Sequence, residues 1–123
     1  MNPSTTQTLL VAANGLGTLV SAGSCIAGMV RPGLILPRGT AVNGGTRLYA
    51  HAYGARAIPL AAVTLALLAT GDRSAAAPVL AIAGLAQIGD SAIGVRQRNP
   101  GMAVCAGLLA VLHLASAWWF HAR

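Results

Sequence analysis

Two residues of opposite charge fall inside long apolar runs of this chain, Arg56 and Asp90. An unpaired arginine at the centre of a membrane helix costs about 2.5–3.5 kcal/mol even on an insertion-based scale, so the residue types predict that each charge answers the other. Tyr49, Tyr53 and Arg56 are spaced i, i+4, i+7 and share one helical face. Gln87, Asp90 and Gly94 share another, with Ser91 beside them, and His113 lies alone in the last apolar run. Ionisable groups inside a membrane are candidates for ligand or proton sites. The candidate ligand-binding set is Tyr53, Arg56, Gln87, Asp90 and His113, and the candidates for acid–base catalysis are Asp90 and His113. Each also has a purely structural reading. Arg56 and Asp90 can lock one helix onto another, His113 can be a core histidine bonded to a backbone carbonyl, and the two tyrosines can be interface anchors.

The elements that would position these residues are membrane-spanning helices. The chain has 123 residues, enough for one domain, and 55% of them are hydrophobic. Only 8% are charged, against about a quarter in soluble proteins, so the chain cannot cover a water-facing surface. Every basic side chain but histidine is arginine, and the only acids are Asp72 and Asp90. The heavy use of Ala, Gly and Arg fits a high-GC bacterial coding bias. The net charge of +6 does not imply nucleic acid, because the arginines are spread over the connecting segments with no basic cluster or stacking platform. Cys25 and Cys105 stand without partners at metal-ligand spacing and read as small packing residues; no metal and no cofactor is expected.

Four apolar runs are each near the roughly 20 residues that cross a bilayer. They predict an all-α, antiparallel four-helix membrane bundle with short loops, a single domain over 1–123 with helices at about 8–30, 48–68, 75–95 and 102–120. Residues 1–8 contain no Lys or Arg, so the first run lacks the basic start of a signal peptide, and the lipoprotein-like Ala22-Gly23-Ser24-Cys25 carries little weight. Ala13, Gly17, Ser21 and Cys25 recur every fourth residue and predict a small-residue stripe against a neighbouring helix. Asn14 is expected near a headgroup region. Pro32 and Gly33 end the first helix; Leu34, Ile35 and Leu36 are too few to span and are expected to dip into the interface. Thr46 is expected to cap the second helix, and Pro59 to kink it by freeing the carbonyl of Ala55. The turn 70–74 is short enough to make helices two and three antiparallel neighbours. Ala106, Ala110, His113 and Ala117 line one face of helix four, and Trp118-Trp119-Phe120 is expected to form an aromatic belt.

Arg31, Arg38, Arg47, Arg96 and Arg98 flank one set of loops and Arg73 and Arg123 the other end. That asymmetry predicts both termini outside an inner (plasma) membrane and the Arg-bearing loops in the cytoplasm. At about 1.5 Å per residue, Arg56 then lies about 12 Å along helix two and His113 about 16 Å along helix four, which gathers one polar layer inside the apolar bundle.

At Tyr53-Gly54-Ala55-Arg56, with Asp90 in Gln-Ile-Gly-Asp-Ser-Ala further on, the chain resembles the small four-helix bacterial and fungal membrane proteins grouped as domain of unknown function 4267. The resemblance takes in Pro32 at the end of the first helix, Gly54 with Arg56, and a lone Asp late in the third, over nearly the whole chain. It implies the same architecture and no particular activity. Members often carry an acid just after the Arg, where this chain has Ala57, which leaves Asp90 as the partner.

Three functions remain from the sequence. One is a membrane protein, in contact with lipid, whose bundle binds a small apolar or amphipathic molecule near Arg56 and Asp90. The second is an intramembrane enzyme of isomerase or cyclase type using Asp90 or His113. The third is a small transporter working as a homo-oligomer, although there is no inverted repeat and no membrane glutamate. Nucleophile elbow, phosphate loop and metal-ligand spacing are all lacking.

Overall fold

A computed structural model describes residues 2–34, 36–37 and 39–123; of these, Pro3 is described by its backbone alone. Ile35 and Arg38, which entered the loop and charge-asymmetry expectations, lie outside the described residues. The chain forms helix α1 (Pro3–Val30), a single 3-10 turn at Pro32–Leu34, α2 (Gly44–Thr70), α3 (Arg73–Arg96) and α4 (Pro100–His121), with no strand among the described residues. All four α-helices are long and apolar enough to cross a membrane. Their outward faces carry exposed Leu16, Leu19, Leu85, Leu108, Val111 and Trp118. Such surface is costly in water and is stable against lipid, so the chain is a multi-pass membrane bundle in contact with the bilayer.

Each helix starts on a side-chain oxygen, and this explains why the helices outrun their apolar stretches. Asn2 accepts from Ser4 N, with Pro3 opening the first turn. Asn43, not Thr46, caps α2; Thr46 is its partner three residues on, and each side chain takes the other's backbone N–H. Asp72 accepts from the backbone N–H of Ser74 and Ala75, and Asn99 from Met102 N ahead of Pro100. A cap of this kind satisfies amides that the first turn leaves unbonded. The Ser74 hydroxyl and the Ser74 and Ala75 amides hold the exposed Asp72 carboxyl below the usual carboxylate range. At the opposite end Arg98 adopts φ 51°, Arg98 N donates to Val95 O, and Asn99 N donates to Gly94 O. This left-handed C-terminal motif ends α3 one residue before α4 is capped.

Glycine sets how closely the helices approach. A Cβ on Gly94 would lie 2.5 Å from Ala103 N and 2.8 Å from Ala103 Cα, so the backbones of α3 and α4 nearly touch there. On Gly84 it would meet Leu114, and on Gly17 the Leu109 side chain. The α3–α4 pair packs most closely and α1–α2 next, while α2–α3 and α1–α4 meet more sparsely. The short 70–74 turn does make α2 and α3 neighbours, but Gly84 and Gly94 make α3 and α4 the tighter pair. The apolar core, Leu68, Ala76, Ala77, Leu80, Ala117 and Phe120, fills the end of the bundle holding the α2–α3 turn. Phe120 therefore belongs to the core, not to an aromatic belt. Its ring packs edge-on against Trp119 at 5.6 Å, and Trp118 alone of the three is exposed. α2 continues through Pro59 as a single helix.

The stripe expected on α1 is rotated. Gly17 and Cys25 are buried and Ser21 half-buried, but Ala13 is exposed, while Asn14 and Thr18 face inward. Steps of four drift by about 40° each at 100° per residue. Asn14, Thr18, Ser21 and Cys25, at i, i+4, i+7 and i+11, hold one direction instead.

Candidate functional site

The sparse contact between the two helix pairs leaves a cavity of about 310 Å³, and all four α-helices supply its wall. α2 contributes Tyr49, Tyr53, Arg56 and Thr64, α3 contributes Gln87 and Asp90, α1 contributes Thr18 and Ser21, and α4 contributes His113. Ala57, Leu60, Ala61, Ala83, Ala86 and Ile93 supply apolar wall between them. Tyr53, Arg56, Gln87, Asp90 and His113 all line this one cavity.

The pairing inside the cavity differs from the expected one. The Tyr53 hydroxyl donates to Asp90 Oδ2 at 2.6 Å, and among the described residues no ion pair within 4.0 Å joins Arg56 to Asp90. The reason is register. α2 begins at Gly44, so Arg56 stands about 18 Å along it, whereas Asp90 stands about 9 Å from the adjacent end of α3. Tyr53, one turn nearer that end, reaches the carboxylate first. Tyr53 is therefore a clasp between α2 and α3, not an interface anchor, and Arg56 is left exposed at the cavity wall. Tyr49 is exposed, and His51 points away from the cavity to the carbonyl of Arg47 at 2.8 Å.

A second polar group was missed by sequence reasoning. Asn14, expected near a headgroup region, is fully buried between α1 and α4. Its amide Nδ2 donates to Leu10 O and to Ser116 Oγ, each at 2.7 Å, and its Oδ1 lies 2.7 Å from His113 Nδ1. The partner of His113 is thus a side chain, not a backbone carbonyl. Gln87 Nε2 donates to Ser21 Oγ at 3.1 Å, and Thr18 Oγ1 is buried without a hydrogen-bond partner. The signal was present in the 3.6-residue spacing of Asn14, Thr18 and Ser21, and in Ser116 one turn after His113. Buried polar groups of this kind are normally matched, which makes the unmatched Thr18 hydroxyl notable.

No group of three or more His, Cys, Asp or Glu side chains gathers to hold a metal ion among the described residues. A second hollow of about 520 Å³, between Gly71–Ser74 and Phe120–Arg123, is open and polar; its one carboxylate, Asp72, is occupied in capping α3. Fold and cavity together define the class: a small four-helix membrane bundle with a polar-lined cavity between its helix pairs. No family model, curated protein or solved structure matches the chain significantly.

Proposed function

We propose that this chain is a small integral membrane protein that binds a small apolar or amphipathic molecule in the cavity lined by Tyr53, Arg56, Gln87, Asp90 and His113. The observation that carries this reading is the free arginine. Tyr53 takes the carboxylate expected to neutralise it, and Arg56 stays at the wall of a cavity whose size sits at the low end of the about 300–1,000 Å³ typical of small-molecule sites. Apolar walls with a few convergent polar groups are the usual make-up of such sites. Stability measurements in nanodiscs separate a binding site from a helix clasp. Arg56→Gln is expected to stay within about 0.5 kcal/mol of the parent protein, as for surface changes away from special features. A loss of about 3–5 kcal/mol, the cost of breaking a buried ion pair, would show Arg56 to be a structural member of a clasp instead.

The membership in the family of domain of unknown function 4267 belongs to this proposal, as does a bacterial inner membrane with both termini outside. The described arginines Arg31, Arg47, Arg96 and Arg98 support that orientation. Cysteine labelling at Gln97 and Ser74, in a background lacking Cys25 and Cys105, tests it: position 97 labelling from outside intact cells, with 74 protected, reverses the orientation. An intramembrane isomerase or cyclase is the second reading. The shared cavity favours it, because Asp90 and His113 approach one bound molecule from different helices. Homo-oligomeric transport has no comparable feature in its favour.

A further inference from the structure

The wall formed by α1 and α4 carries two unmatched polar atoms whose chemistry is complementary. The carbonyl of Leu10 can only accept, so the Asn14 atom 2.7 Å from it is the amide nitrogen. Asn14 Oδ1 therefore faces His113, and His113 Nδ1, at 2.7 Å, is the donor. In the neutral ring that tautomer leaves Nε2 as an acceptor. His113 is only 2% exposed, and among the described residues Nε2 has no protein partner. Thr18 follows Asn14 by one turn and lines the same cavity. It is 5% exposed, and its hydroxyl is buried with nothing to bond. The cavity thus offers one open acceptor, His113 Nε2, and one buried donor, the Thr18 hydroxyl, which is costly to leave unmatched.

A single hydroxyl group satisfies both, because it donates one hydrogen bond and accepts others. A carbonyl only accepts and would leave Nε2 unmatched; a hydrocarbon serves neither. Resting on the binding reading above, we propose that the cavity is a site for an uncharged apolar alcohol. Its O–H donates to His113 Nε2, its oxygen accepts from the Thr18 hydroxyl, and its hydrocarbon body packs on Ala57, Leu60, Ala61 and Ala83. Asn14 is a positioning residue: it fixes the histidine tautomer and touches no ligand.

Borneol, camphor and camphane test this, since they share one bicyclic frame and differ in carrying a hydroxyl, a ketone or neither. Affinities come from thermal-shift titration in nanodiscs, and 15N-histidine spectra follow His113 Nε2. Borneol is expected to bind tightest and camphane weakest, with each hydrogen bond contributing about a 2- to 12-fold step. Only borneol is expected to move the Nε2 resonance as a hydrogen-bond donor does. Thr18→Val removes an unmatched hydroxyl at nearly constant shape and is expected to fold at least as well. It should weaken borneol and camphor by about 2- to 12-fold and leave camphane unchanged. Equal binding of all three compounds, or an equal loss for all three in Thr18→Val, overturns the hydroxyl assignment and leaves the apolar cavity standing. Binding of none of them overturns both.

Discussion

Adding one methyl group to Gly94 tests the closest helix contact in the bundle. The Cβ of Gly94→Ala would lie 2.5, 2.8 and 3.1 Å from backbone atoms of Met102 and Ala103. No rotamer can relieve a clash with backbone, so α3 and α4 must move apart. Overpacking of this sort costs about 1–3 kcal/mol, and the absence of a side-chain escape places Gly94 in the upper half of that range. Separation also strains the 2.8 Å bond from Ser91 Oγ to Ala103 O, for which about 0.6 kcal/mol is the average among interhelical bonds in membranes. Against this stands the alanine's better helix propensity, about 1 kcal/mol. The net expectation is a loss of about 2 kcal/mol, with Gly15→Ala as control, since a Cβ there meets nothing within 4 Å. Unfolding in mixed micelles, followed by Trp118 and Trp119 fluorescence and by helical circular dichroism, gives both values. Gly94→Ala as stable as Gly15→Ala would refute the close α3–α4 approach.

Two further outcomes follow from the polar groups. Asn14→Leu leaves His113 Nδ1 and Ser116 without their partner. It is expected to destabilise the bundle by about 1–3 kcal/mol, the cost of an unsatisfied buried group, and in 15N-histidine spectra to release the fixed His113 tautomer; an unchanged tautomer refutes the Asn14 assignment. For Asp72 the folded carboxyl is held below its unfolded value, so its capping stabilises above the ordinary carboxylate range and is lost as pH falls through the lowered folded value. Asp72→Ala should lower the melting temperature at neutral pH and converge with the parent protein in acid; a pH-independent gap argues against the charged cap.

The architecture was legible because apolar length and arginine-bearing turns respond to the same solvent boundary. The helix ends were less so, since Asn43 and Asn99 extend helices into segments whose hydropathy reads as loop. That same extension shifted Arg56 along α2 by about 6 Å, and so the expected pairing with Asp90 gave way to Tyr53, although both residues sit on the anticipated face. The five site residues converged because i, i+3, i+4 and i+7 spacing fixes a helical face whatever the exact ends. The Asn14–His113–Ser116 group was hidden by a choice between two periods on α1. A four-residue repeat of small side chains drew attention to Ala13, while the 3.6-residue period placed Asn14 and Thr18 inside. Which helix pairs would close tightly was also not legible, because it depends on single glycines meeting a particular backbone atom.

The binding cavity itself is tested most directly by native mass spectrometry of the protein released gently from its own membrane, with Ala57→Phe for comparison. Ala57 is half-buried on the cavity wall, and a phenyl ring there occupies the space a ligand needs. The parent protein is expected to carry one small molecule per chain, absent from Ala57→Phe while the variant keeps its helical content. A protein that emerges bare, or the same bound mass in equal amount on both proteins, would contradict the account.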